Sequence, residues 1–250
     1  MWEAGFWGLV SGSALVLGAT IAYFTTIPQR LIAAVMAIGS GVLISAVAFD
    51  LMDEAFKQGG FDSTAAGFFF GSVAYTAANV YISRRGASHR KRSGSNAKRS
   101  QPDASSNSGL ALAVGALLDG IPESVVIGVS LLDGTGVSTV TVAAVFLSNV
   151  PEGLSSAAGM RKAGRSARFI FGVWGGIAGI SAIAAMLGNV LLAAANPELI
   201  AAVTAVAAGA ILTMLVDTMI PEATEDTHEF SGLIAVTGFL MAFVLTKLGQ

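Results

Sequence analysis

Apolar runs long enough to cross a bilayer alternate along this chain with short polar connections. A spanning helix needs about 20 mainly apolar residues to cross a hydrocarbon core of roughly 30 Å. Such runs occupy Gly5–Thr25, Leu31–Glu54, Ala65–Ser83, Gly109–Leu132, Val137–Met160, Phe169–Ala195, Leu199–Pro221 and Ser231–Leu248. They predict an all-α polytopic membrane protein of eight transmembrane helices, with residues 1–250 forming one transmembrane domain. The runs are continuous rather than alternating, which excludes a transmembrane β-barrel. The first follows Met1-Trp2-Glu3 with no basic leader, so it reads as a retained helix rather than a signal peptide.

Composition agrees with a membrane setting. Of 250 residues 54% are hydrophobic and 12% charged, about half the charge of an ordinary soluble domain. The bases are not gathered on one surface, so a nucleic-acid partner is excluded; the partners expected are the lipid bilayer and ions. There is no cysteine, hence no disulfide, thiolate metal site or Cys nucleophile.

The bases sort by side. Twelve of the 14 fall in three connections: Arg30; Arg84, Arg85, Arg90, Lys91, Arg92, Lys98 and Arg99; and Arg161, Lys162, Arg165 and Arg168. Lys57 and Lys247 lie on the other side. Basic loops face the cytoplasm, which places both termini outside. The connection over 84–108, rich in Ser, Asn, Gly and bases, reads as a flexible cytoplasmic linker.

The acids inside the runs are where chemistry is expected, because a charge in the bilayer costs free energy and usually faces protein interior or water. The second run ends Asp50-Leu51-Met52-Asp53-Glu54-Ala55, and the seventh ends Asp217-Thr218-Met219-Ile220-Pro221-Glu222-Ala223. The fourth carries Asp119-Gly120-Ile121-Pro122-Glu123, and the fifth Ser148-Asn149-Val150-Pro151-Glu152-Gly153. Asp119 and Glu123 are spaced i, i+4 on one helix face, as are Ser148 and Glu152. Packed face to face near the midplane, the two helices would bring three carboxylates and two neutral oxygen donors together. Three close carboxylates cannot all stay ionised in a low dielectric without a counter-charge. No Lys or Arg lies deep in any run, so a proton or a cation fills that role.

Pro122 and Pro151 remove the backbone bonds to the carbonyls of Leu118 and Leu147, which predicts broken or kinked helices at the site. The matching ends of the second and seventh runs suggest an inverted repeat of helices 1–3 as 6–8 around a central pair. Chain direction puts Asp50, with Asp53 and Glu54, near the outer face and Asp217, with Glu222, near the inner one, as pathway residues or as caps of helix ends. Gly172, Gly175, Gly176 and Gly179 in the sixth run predict close helix packing, inside the bundle or at a dimer face.

At these residues the chain resembles the ZIP divalent-metal transporters. Ile121-Pro122-Glu123 with Ile127-Gly128-Val129-Ser130-Leu131 is similar to that family's fourth-helix pattern, and Val150-Pro151-Glu152-Gly153 to its fifth. The ends of the second and seventh runs resemble its His-x-x-Pro-Glu-Ala type segments. The resemblance implies a 3+2+3 helix arrangement, a bacterial or archaeal plasma membrane, a homodimer, and a secondary transporter rather than an enzyme. The implied cargo is a divalent metal ion (Zn²⁺, Mn²⁺, Fe²⁺ or Cd²⁺) entering the cytoplasm, with no prosthetic group.

Departures from the family pattern reshape the implied metal site. Asp119 stands where the family has His, Gly120 where it has Asn, Ser148 where His or Gln is usual, and Asn149 where it has an acid. Gly179-Ile180-Ser181-Ala182 lacks the carboxylate often supplied by the sixth helix. The implied ligand set is then Asp119, Glu123 and Glu152, with Ser148 and Asn149 assisting, enough for one metal. Oxygen-only donors suit hard ions such as Mn²⁺, whereas the family pulls toward Zn²⁺ or Fe²⁺. Alternatives are a proton-linked carrier of another cation, an intramembrane hydrolase using Asp119, and a transport-inactive regulatory protein of the same fold.

Overall fold

A computed structural model describes residues 1–84, 106–132, 134, 136–227 and 229–248, and the regular elements among them are all helical. The chain builds α1 (Trp2–Phe24), α2 (Gln29–Ala46), α3 (Met52–Ile82), α4 (Ser106–Val129), α5 (Thr139–Lys162), α6 (Ala167–Leu192), α7 (Pro197–Met214), α8 (Ile220–Thr227) and α9 (Ser231–Leu248). Among the described residues, five helical runs are long and apolar enough to cross a membrane: Trp2–Phe24, Gln29–Ile82, Ala167–Leu192, Pro197–Glu225 and Ser231–Leu248. The chain is thus an α-helical polytopic membrane protein. The helices α4 and α5, which carry Asp119, Glu123 and Glu152, fall outside that set. Apart from Arg84 and the start of α4, the predicted linker over 84–108 lies outside the described residues.

Local sequence sets the helix ends. Ser138, Ser166 and Asn196 cap α5, α6 and α7, their side chains accepting from the backbone N–H of Thr141, Phe169 and Leu199. Pro197 opens α7, where its missing N–H costs no hydrogen bond. Two expectations about helix breaks are corrected. No loop separates the second and third runs: helix continues to Gly60, which alone breaks it with φ 69 and ψ −172. Nor do Pro122 and Pro151 break their helices, since α4 and α5 run through both. Single π turns follow α2, over Val47–Leu51, and α7, over Leu215–Met219. Such turns recur at functional sites, and these two carry Asp50 and Asp217.

Helix contacts sort the described helices into a group of four and a group of five, which meet where α2 packs on α5 and α4 on α7. In one, α1 packs on α5 and α6, and α4 on α6; in the other, α3 packs on α7, and α2 on α9 and α8. Glycines set the closest approaches in matched pairs. A methyl on Gly18 would overlap the Val150 carbonyl, and one on Gly153 that of Leu15, so α1 and α5 meet backbone to backbone. The same reciprocity holds for Gly71 with Gly209 between α3 and α7, and for Gly41 with Gly238 between α2 and α9. Close approach of this kind substitutes for the hydrophobic drive that helices lack in lipid. The glycines of α6 do not pack inside the bundle: among the described residues a Cβ on Gly172, Gly175, Gly176 or Gly179 would meet nothing, so this face turns outward.

Chain direction follows from the contacts. Ser11 lies by Asn149 and Ala22 by Arg161, so α1 and α5 run in the same sense. Gly5 lies by Met186 and Gly12 by Ala178, so α1 and α6 run oppositely. Ser72 reaches Gly209 and Asn79 reaches Asp217, so α3 beyond Gly60 runs with α7. At one end, Arg161 Nη1 donates to the carbonyls of Ala22 (3.2 Å) and Thr25 (3.1 Å), and Lys162 Nζ to Gln29 Oε1 (3.0 Å). The basic connection after α5 therefore sits beside the one between α1 and α2 that carries Arg30.

Candidate functional site

On α5, Thr141, Val145, Ser148, Glu152 and Ser155 follow one another at alternating steps of four and three residues. That spacing keeps them on one helix face over about 21 Å. The whole stripe is buried, from Thr141 at 3% exposure through Glu152 at 3% to Ser155 at 0%. Four of its five members are polar, inside a helix that packs among apolar neighbours. Burying such groups costs free energy unless they are paired or serve a ligand.

Each end of the stripe holds a carboxylate from the other helix group. Thr141 Oγ1 hydrogen-bonds to Asp50 Oδ2 at 2.5 Å, and also lies 2.8 Å from Ser138 Oγ. Ser155 Oγ donates to Glu222 Oε1 at 2.9 Å, with Glu222 only 1% exposed. Glu222, expected with Asp217 as a pathway residue or helix cap, is a buried residue of α8. On another pair of helices, Tyr75 on α3 donates its hydroxyl to Asp119 Oδ1 on α4 at 2.5 Å, both side chains being buried. All three bonds cross the boundary between the two helix groups.

The other expected site residues are placed as follows. Glu123 is 1% exposed and shares the face of Asp119 one turn on. Ser148 Oγ donates back to the Val145 carbonyl at 2.9 Å, which leaves its lone pairs to face the stripe's surroundings. Asn149 Nδ2 donates to the Ser11 carbonyl at 3.1 Å, tying this amide to α1. Asp217 accepts from Asn79 Nδ2 at 3.2 Å, within the second group. Asp53 pairs with Lys57 at 2.7 Å on the protein exterior, and Glu54 accepts from Gln58 at 3.2 Å; neither contact joins the boundary.

One expectation is not met. α4 packs chiefly on α6 and α7, and α5 on α1 and α2, so these two helices do not lie face to face. Among the described residues, no three Asp, Glu or His side chains gather as a group that could hold a metal ion. Asp119, Glu123 and Glu152 thus do not form a single cluster. The α5 stripe carries Glu152 between two carboxylates of the other helix group, Asp50 at one end and Glu222 at the other, while Asp119 and Glu123 lie on α4, with Asp119 bonded across the boundary to Tyr75. Thr141, Ser155 and Tyr75 were not foreseen as site residues. The heptad-like spacing of the polar positions on α5 was the available signal for the first two.

No protein-family model matches the chain, and no curated protein matches it.

Proposed function

We propose that this protein is an eight-span secondary carrier of divalent metal ions, related in design to the ZIP transporters that its Pro-Glu motifs resemble. The cargo is of the Zn²⁺, Mn²⁺ or Fe²⁺ type and moves toward the cytoplasm, where the basic connections lie, with both termini outside. On this reading the protein is not an enzyme. Glu152, with Ser148 beside it on the α5 stripe, is the central station and Asp50 and Glu222 are the stations at its two ends, while Asp119 and Glu123 on α4 and Asn149 serve the pathway separately rather than completing one metal site.

The observation that carries the reading is the buried polar stripe of α5, flanked at both ends by carboxylates of the other helix group. A row of oxygen donors across an apolar interior is what a cation needs in place of its hydration shell. Its position on a boundary between two helix groups suits transport by rocking one group against the other. The pairing of helices supports the eight-span, inverted-repeat arrangement. Exchanging spans 1–3 with 6–8 and the fourth with the fifth turns the α1–α5 contact into the α4–α6 contact, and α2–α9 into α3–α7.

Binding is testable apart from transport. An ion bound to the folded state alone raises its stability, by about 2.7 kcal/mol at 100 times the dissociation constant. Purified protein is expected to unfold at higher temperature with Mn²⁺, Fe²⁺, Zn²⁺ or Cd²⁺, and Glu123→Ala and Glu152→Ala to lose that increment. Equal shifts in wild type and both variants would contradict the assignment.

A further inference from the structure

We propose that the outward furrow between α4 and α6 binds an anionic phospholipid, whose phosphate meets Arg168 and whose acyl chain lies along α6. The proposal does not depend on the carrier reading. Ala113 and Leu117 of α4 and Gly172, Gly176 and Ile180 of α6 line an open furrow of about 360 Å³, with Arg168 at its end. A Cβ on Gly172 or Gly176 would meet nothing, so the missing side chains give the furrow its depth. α6 is long and apolar enough to span the membrane, so an apolar furrow open on its outer side meets acyl chains. From Arg168 to Ile180 the helix rises about 18 Å. That is close to one leaflet's share of a hydrocarbon core of roughly 30 Å.

Charge selects the lipid. Arg168 is exposed, and at the same mouth Arg165 stacks its guanidinium over the ring of Phe169, 4.8 Å from the centroid. No Asp or Glu is among the described residues that line the furrow. Bases beside a furrow between spanning helices recognise anionic headgroups. Beyond Ile180 the furrow continues past Ile121, Ile183, Leu187 and Leu191, with no charged residue among the described ones that line it. Preference for an anionic lipid therefore belongs to the Arg168 half. A second copy of the chain does not fit this charge pattern. Arg168, Gly172, Gly176 and Gly179 share one helix face. A copy packed symmetrically on the glycines would bring its own Arg168 against this one, with no acid in the furrow to relieve the repulsion.

The test titrates full-length protein in detergent with phosphatidylglycerol, phosphatidylcholine or glycerol 3-phosphate and counts bound molecules by native mass spectrometry. Wild type is compared with Arg168→Gln, Gly176→Leu and Arg30→Gln. One base near the headgroups is worth about fivefold in affinity for an anionic lipid. Wild type is expected to bind its first phosphatidylglycerol more tightly than phosphatidylcholine by about that factor or more, and not to bind glycerol 3-phosphate, which has no chains. Arg168→Gln is expected to lose about fivefold for phosphatidylglycerol and nothing for phosphatidylcholine. Gly176→Leu, which fills the furrow, is expected to weaken both lipids. Arg30→Gln, which removes a base of the same side away from the furrow, is expected to keep the preference. Arg168→Gln, at an exposed position, decides the matter if Gly176→Leu does not fold. Equal affinity of wild type for the two lipids, or an unchanged preference in Arg168→Gln, overturns the proposal. So does an equal loss in Arg168→Gln and Arg30→Gln, which would mean general attraction to the basic side, or tight binding of glycerol 3-phosphate, which would mean a free-phosphate site. A dimer that Gly176→Leu dissociates with lipid binding unchanged would give the face to a second copy and overturn it as well.

Discussion

Ser155 on α5 and Glu222 on α8 are joined by a 2.9 Å hydrogen bond, with both side chains withdrawn from solvent. The pair ties a helix of one group to a helix of the other, three residues along α5 from Glu152. Removing the hydroxyl leaves a buried carboxylate oxygen without that donor, a loss of about 1–3 kcal/mol. Ser155→Ala is therefore expected to unfold at a lower temperature in detergent, and Ser155→Thr, which retains the hydroxyl, to recover part of the difference.

Glycines on the closest helix contacts and glycines on the open face of α6 make opposite predictions. A Cβ at Gly153 would overlap the Leu15 carbonyl and force α1 away from α5. Gly153→Ala is expected to destabilise the protein by about 1–3 kcal/mol. At Gly175 a Cβ meets nothing, so Gly175→Ala is expected to be neutral or to gain about 0.5–1 kcal/mol from helix propensity. Thermal unfolding of the two variants side by side separates these outcomes.

The same contrast shows what the sequence could and could not reveal. Length and hydropathy made most helices readable, because lipid imposes long apolar runs whatever the tertiary packing. Asp119, Glu123 and Glu152 stood out because charge is costly there, and all three are buried. The spacing of Gly172, Gly175, Gly176 and Gly179 told that one face of α6 is smooth, but not which neighbour it meets, and among the described residues it meets none. Thr141, Ser155 and Tyr75 passed unnoticed because a hydroxyl fits an apolar run without disturbing its pattern. The π turns at Asp50 and Asp217 arise from local hydrogen-bond register, which no residue type announces. The positions of Pro122 and Pro151 suggested broken helices, yet helical geometry continues through both.

Sidedness is directly measurable because the chain has no native cysteine. Single substitutions Thr26→Cys and Lys162→Cys are expected to react with an impermeant thiol reagent from the cytoplasmic side only. Lys57→Cys and Glu198→Cys are expected to react from the opposite side only. Labelling of all four from one side would contradict the alternating eight-span path.

Asp50 and Thr141 mark one end of the α5 stripe. Thr141→Val keeps the side-chain shape and deletes the hydroxyl that meets Asp50 Oδ2. On the carrier reading this weakens entry rather than the central station, so KM for metal rises while kcat changes little. An unchanged KM in initial-rate uptake would place Asp50 and Thr141 outside the pathway.

The central claim is that divalent cations cross along the buried carboxylates of the helix-group boundary. The most direct measurement is uptake of Mn²⁺, Fe²⁺, Zn²⁺, Cd²⁺, Mg²⁺ and Ca²⁺ into proteoliposomes by wild type, Glu123→Ala and Glu152→Ala, at two external pH values. Carboxylates bind cations only when deprotonated. The account predicts saturable uptake of at least one of these ions that falls as pH falls and is lost in both variants. Absence of uptake for every ion, or wild-type uptake by both variants, would contradict it.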